Sequence, residues 1–124
     1  MIQISPQLRI WSRIKALCIE LDYPVYDVLP DASAEYPFIH IGEQFDQDNR
    51  IHKDYINGQT QVTIHVWHNT PDKRGDLARI MEEVEQAVRM EYMYSVQSVN
   101  YQVLIDNTTE SNLLHGVVEV DIKY

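Results

Sequence analysis

Residues Gly58 to Met90 read GQTQVTIHVWHNTPDKRGDLARIMEEVEQAVRM, and the hydrophobic period changes half-way along them. From Thr60 to His68 the period is two: Val62, Ile64 and Val66 fall on one face, and Gln61, Thr63, His65 and Trp67 on the other, the pattern of a strand with one face in the core. Asn69-Thr70-Pro71-Asp72-Lys73-Arg74-Gly75 then stops the strand and can open a helix. Two starts fit, Thr70 as cap with Pro71 first in the helix, or Asp72 as cap one turn later. Beyond the turn, Leu77, Ile80, Met81, Val84, Ala87 and Val88 recur at helical spacing and form one apolar stripe. Arg79 with Glu83 and Glu85 with Arg89 are spaced for i,i+4 pairs on the wet side, each worth only about 0.2 to 0.5 kcal/mol. A buried Leu77 or Val84 is worth about 1.5 to 3 kcal/mol, so packing must hold this helix.

Working outward, Ser5 and Pro6 open a first helix that runs to about Leu21, with Leu8, Trp11, Ile14, Leu17, Cys18 and Leu21 expected inside. Asp22-Tyr23-Pro24 ends it, Val25 to Leu29 is a short extended piece, and Phe38 to Phe45 reads as a strand. From Gln44 to Asn57 the chain is polar and irregular, the composition of a long functional loop. Val99, Tyr101, Val103 and Ile105 alternate with polar neighbours, as do Gly116, Val118, Val120, Ile122 and Tyr124 at the end of the chain. The expected fold class is α+β: an antiparallel sheet of four to five strands with two helices packed on one face, in the order α-β-β-β-α-β-β, as a single domain over residues 1–124.

Charge narrows the function. The 124 residues carry 10 basic and 19 acidic side chains, a net charge of -9. The excess is even: residues 1–62 hold 5 basic against 9 acidic, and residues 63–124 hold 5 against 10. Specific nucleic-acid binding needs clustered lysine and arginine, and the densest basic pair, Lys73-Arg74, is flanked by Asp72 and Asp76. Cys18, the single cysteine, reads as a small buried hydrophobe. No apolar run approaches a membrane span or a signal peptide, and a cytoplasmic chain is expected.

Candidate chemistry is thin. His65 and His68 lie three apart on a strand, on opposite faces, and cannot chelate together, whereas His40, His65 and His115 converge only if their strands are neighbours in the right register. Asp46-Gln47-Asp48 starts like a calcium loop but then offers Arg50, Ile51 and Asn57 where a ligand, glycine and glutamate belong. The glycines stand alone, no serine sits in a nucleophile turn, and Glu82-Glu83 reads as a solvated face. The expectation is therefore a protein that is not an enzyme, with no catalytic residue, cofactor or metal. Candidate contacts with partners or further copies are Asp46, Asp48, Arg50, Lys53 and Tyr55 in the polar segment, together with Tyr92 and Tyr94.

Four ordered pieces carry a resemblance: Val25-Tyr26-Asp27-Val28-Leu29-Pro30; Tyr36-Pro37-Phe38-Ile39-His40-Ile41-Gly42-Glu43-Gln44; Thr63-Ile64-His65-Val66-Trp67-His68 before Lys73-Arg74-Gly75; and Leu114-His115-Gly116-Val117-Val118-Glu119. In this order and spacing the chain resembles the small tail-completion, or head-to-tail joining, proteins of long-tailed bacteriophages and prophages of Gram-positive bacteria. The likeness extends from about Trp11 to Tyr124. It implies a structural protein of the virion tail, assembled in the host cytoplasm, that forms a ring, usually a hexamer, at the head-proximal end of the tail tube. The implied partners are further copies of itself, the tail tube protein and the head connector protein; no membrane is involved, and DNA passes through the ring without specific binding. The competing expectation from a different class is a host α+β regulatory or ligand-binding module without catalysis, and a small hydrolase using the histidines ranks behind it.

Overall fold

The computed structural model describes residues 4–31, 33–48, 57–108 and 112–124. Helix α1 (Pro6–Glu20) begins as its sequence dictates: Ser5 is extended and its Oγ accepts a hydrogen bond from the Leu8 amide at 3.2 Å, with Pro6 directly behind. Ile10, Ile14, Leu17 and Cys18 are buried, while Leu8 is exposed and Trp11 only partly covered. The inward stripe is thus turned from the expected one, with Ile10 taking the place assigned to Leu8. Leu21 caps the helix, and Asp22, at φ 70°, redirects the chain. Aspartate tolerates that left-handed conformation better than most residues.

Strand β1 (Val25–Tyr26) pairs with β2 (Phe38–Asp48), which pairs with β3 (Gly58–His68); after α2 (Arg74–Glu91) come β4 (Val96–Asp106) and β5 (Leu113–Lys123). The strand order is β1-β2-β3-β5-β4, and α1 and α2 pack on one face. The α+β class and element order match expectation. One detail does not: β1 runs parallel to β2, so the sheet is mixed rather than wholly antiparallel. Val25 aligned beside Ile39 and Tyr26 beside His40 is a pairing too short to leave a sequence pattern.

Two local expectations also change. Neither Thr70 nor Asp72 caps α2; Lys73 occupies the cap position without a side-chain bond. The Thr70 amide donates to His68 Nδ1 at 3.1 Å and its carbonyl accepts from Lys73 at 2.9 Å, so residues 70–73 close a separate turn before the helix starts. The segment read as an irregular loop from Gln44 is strand as far as Asp48, paired in register to Gly58 after a bulge between Ile41 and Gln44. Ladder bonds are made by the backbone and do not require apolar side chains. Here Gln44 Nε2 donates to Thr60 Oγ1 at 2.8 Å and to the Gln7 carbonyl at 2.9 Å, and Thr60 donates in turn to Asp46.

The core lies between helices and sheet. Leu77, Ile80, Met81, Val84 and Val88 of α2 meet Val62, Ile64 and Val66 of β3 and Val118, Val120 and Ile122 of β5. Cys18 is buried among them, and desolvation pushes its thiol pKa up to about 12. Both expected i,i+4 pairs form, Arg79 to Glu83 at 3.4 Å and Arg89 to Glu85 at 2.9 Å. Their glutamates are not simply solvated. Glu83 also accepts from the Tyr23 hydroxyl at 2.8 Å, and Glu85 from Tyr101 of β4, so each ties α2 to a second element. Among the described residues no helix is long and apolar enough to cross a membrane.

Candidate functional site

The helix-free face of the sheet carries the densest group of chemically distinctive side chains. In an antiparallel pair, residues directly opposite share a face. His40 of β2 faces His65 of β3, and Trp67 of β3 faces His115 of β5. The condition for convergence of His40, His65 and His115 is met, because β2, β3 and β5 are neighbours in that register. The rings form a continuous row: His40 to His65 at 5.3 Å between centroids, His65 to His115 at 4.9 Å, and His115 to Trp67 at 3.8 Å with 8° between planes. Phe38, opposite Trp67, extends the row to Tyr36 and Tyr26 at 5.1 and 5.4 Å.

Gly42 makes room for this arrangement. A Cβ there would stand 2.7 Å from Cδ2 and Nε2 of His65, so the imidazole lies over bare backbone. The bulge beside Gly42 brings Glu43 into reach, its Oε2 3.1 Å from His65 Nε2. On the other side of the ring, His65 Nδ1 lies 2.7 Å from His115 Nε2. A carboxylate only accepts, so in the neutral pair His65 Nε2–H donates to Glu43 and His115 Nε2–H donates to the bare His65 Nδ1. Each bond fixes the tautomer required by the next.

Burial, with His65 as the next cause, pushes the His115 pKa down to about 4, and the same two causes lower that of His40. Glu43 is also lowered, first by a backbone hydrogen bond and then by the bond with His65. The cluster therefore holds a carboxylate together with two histidines, His40 and His115, that resist a second proton. Zinc bound to two imidazoles lies about 2.0 to 2.1 Å from each nitrogen, and nitrogens 2.7 Å apart are too close to flank it at a tetrahedral angle. Among the described residues no group of three or more histidine, cysteine, aspartate or glutamate side chains has the geometry to hold a metal ion. His68 stands apart, buried on the helix side, 3.8 Å from Asp76.

The contact residues expected from sequence collect elsewhere. Asp48 pairs with Gly58, Gly58 bonds to Tyr124 in both directions, and the Lys123 amide donates to the Ser95 carbonyl. The last pair of β2 and β3, Asp48 with Gly58, and the Tyr92–Ser95 turn therefore lie at the same end of the sheet. Asp46 accepts from Thr60 there; Tyr92 caps α2 and packs against the core; Tyr94 is 92% exposed, beside Met93 at 66%. Phe45, 68% exposed, adds an apolar side chain to that end that sequence reasoning did not select. Its signal was an aromatic within a polar run. Arg50, Lys53 and Tyr55 lie outside the described residues.

No protein-family model and no curated protein matches the chain. A solved structure, the virion of a native gene transfer agent particle, contains a chain similar in fold, with 12% sequence identity, a TM-score of 0.49, and coverage of 97% of this chain and 96% of that one. A likeness at that level carries no functional argument.

Proposed function

We propose that the protein is a phage structural component that completes the tail at its head-proximal end, assembling as a ring that stops the tail tube and joins it to the head connector. The reading starts from the ordered sequence signature, and the observation that carries it furthest is the grouping at one end of the sheet. Tyr94, Met93 and Phe45 are exposed at the end of the sheet where β2 also carries Asp46 and Asp48. Large exposed aromatic and methionine side chains rimmed by polar groups are what a docking surface presents. The signature itself lies mostly in β1, β2, β3 and β5 and at the start of α2, where it builds the scaffold. A net charge of -9 suits a ring through which DNA slides without adhering.

The proposed role asks no catalytic step of the Glu43–His65–His115 chain, whose last ring stacks on Trp67. Deleting the gene and imaging the lysate by negative stain tests the role. Separate full heads and tails are the expected result, and normal virions would end the proposal. Tyr94→Glu, supplied in trans, should fail to restore joining while folding normally, because the side chain it replaces is exposed.

One observation favours the binding-module reading. A hollow of about 320 Å³ between Pro30, Tyr36, Phe38, Trp67 and Leu113 adjoins the row of rings, and the buried Trp67 indole N–H has no acceptor among the described residues. Ligand pockets combine an apolar lining with a few polar groups in this way. A fragment screen by NMR decides: hits that shift the Trp67 indole resonance support a module, whereas joining defects with no hits support the tail role.

A further inference from the structure

The two edges of the sheet are built differently. At one, β1 covers β2 only at Ile39 and His40; beyond them β2 is bulged and carries Glu43, Asp46 and Asp48. Bulges and charges are the usual means of keeping an edge from pairing with another strand. At the other, β4 presents VQSVNYQVLID, eleven residues with no proline, glycine, lysine or arginine and one charge at the end. Its one irregularity lies at the start, between Val96 and Ser98, and from Ser98 to Ile105 the strand is regular and uncharged.

The side-chain pattern of β4 says what fits it. Val99, Tyr101, Val103 and Ile105 are opposite Val120, Val118, Gly116 and Leu114 of β5, which places them on the helix side of the sheet. α2 packs mainly over β3 and β5 and covers this side of β4 only in part: Val99 and Val103 are half-buried against the core, whereas Tyr101 is 44% and Ile105 62% exposed. Between Tyr101 and Val103 of the strand and Ala78, Met81 and Glu82 of the helix runs a groove of about 320 Å³. If two β4 strands meet antiparallel about a two-fold axis at Gln102, Tyr101 of one copy faces Val103 of the other and Val99 faces Ile105. All four helix-side positions then pair apolar with apolar. On the opposite face Gln102 meets itself, Asn100 meets Leu104, and Ser98 meets Asp106, so no like charges are opposed. An interface between identical copies related by a two-fold axis must be self-complementary in this sense.

We propose that β4 is a homodimerisation edge, on which a second copy of this chain adds its own β4 antiparallel to continue the sheet across both molecules. The groove beside Met81 then receives side chains of the second copy, and Tyr101, held by Glu85, forms part of its wall. The pairing does not rest on the tail-completion reading. It uses the same edge on both copies and so ends at two, which leaves the contacts of any ring to other surfaces.

Sedimentation of the purified chain over rising concentration tests it. The expected mass rises from one copy towards two, and Ile105→Lys raises the dissociation constant about tenfold or more, since it sets a charge among paired apolar side chains, while the melting temperature measured at monomer concentrations stays unchanged. A nitroxide placed at Gln102→Cys, with Cys18 buried and unlabelled, should report a short distance between copies because that position lies on the axis. A chain that stays monomeric throughout, or one whose self-association is indifferent to Ile105→Lys, overturns the proposal. Joining activity in lysates is read independently, so either result can fail without the other.

Discussion

His65 and His115 share one short contact, 2.7 Å between Nδ1 and Nε2, in the middle of the helix-free sheet face. The contact needs one donor and one acceptor. It exists only while at least one of the two rings is neutral, and Glu43 at 3.1 Å fixes His65 Nδ1 as the acceptor.

Acid should therefore weaken the fold through this face. His115 titrates near 4 when folded against 6.5 when unfolded. Between those values the unfolded chain binds a proton that the folded chain refuses, so stability is full above pH 6.5, falls as the pH drops, and stops falling on this account below about 4. His40, lowered by burial, acts in the same direction. Glu43, lowered from 4.5, adds stability that is lost as its own carboxylate protonates. His115 also faces Trp67, His65 and Asp106, and the last partly offsets its lowering. His115→Phe keeps a ring against Trp67 and removes the titration. Its melting temperature should vary less between pH 6.5 and 4 than that of the unmodified chain; identical profiles would contradict the assignment, as would an NMR titration of His115 near 6.5.

Gly42→Ala should disturb the same cluster without touching a histidine. The new methyl would meet the His65 ring at 2.7 Å, and that ring is held by bonds on both sides. Overpacking of this kind costs about 1 to 3 kcal/mol. The expected signs are a lower melting temperature and displaced resonances for His40, His65 and His115; an unchanged melting temperature would show that the ring moves aside freely.

Cys18 should react with a thiol reagent only on unfolding. The side chain is 1% exposed and its pKa is raised to about 12, so thiolate is scarce even where reagent reaches it. Labelling should become fast at the denaturant concentration where the far-ultraviolet signal is lost, and rapid labelling of the native chain would show that α1 opens locally.

How much of this was legible in the sequence depends on the range of the interactions. The faces of β3 were plain, because alternation from Thr60 to His68 is local and the core enforces it. The stripe of α2 was equally plain, whereas that of α1 was read one step round, since Leu8 and Ile10 both satisfy a helical spacing and only packing chooses. β1 could not be read as parallel from Val25-Tyr26, because two residues carry no direction. The histidine row was visible only as a condition: His65 lies 25 residues after His40 and His115 a further 50 on, and they meet through strand order and register. Polarity misled at Gln44 to Asp48, where strand pairing persists because Gln44 and Asp46 spend their polar groups on Thr60.

Leu77 and Glu83 separate packing from surface charge within one helix. Leu77 is fully buried against the sheet, and Leu77→Asp places a carboxylate among buried apolar side chains. Loss of the buried side chain alone costs about 2 to 5 kcal/mol, and desolvating a charge or protonating it to avoid doing so adds to that. Glu83 is partly exposed and ties α2 to Tyr23 at 2.8 Å and to Arg79 at 3.4 Å. Glu83→Ala leaves both partners able to reach water and should cost about 0.5 to 1.5 kcal/mol, more than an isolated surface pair because the tyrosine bond is lost as well. Thermal unfolding of the two variants should show Leu77→Asp unfolded or severely destabilised at temperatures where Glu83→Ala remains native. Equal losses would mean that the bridge from α1 to α2 through Tyr23, rather than the apolar stripe, holds the helix in place.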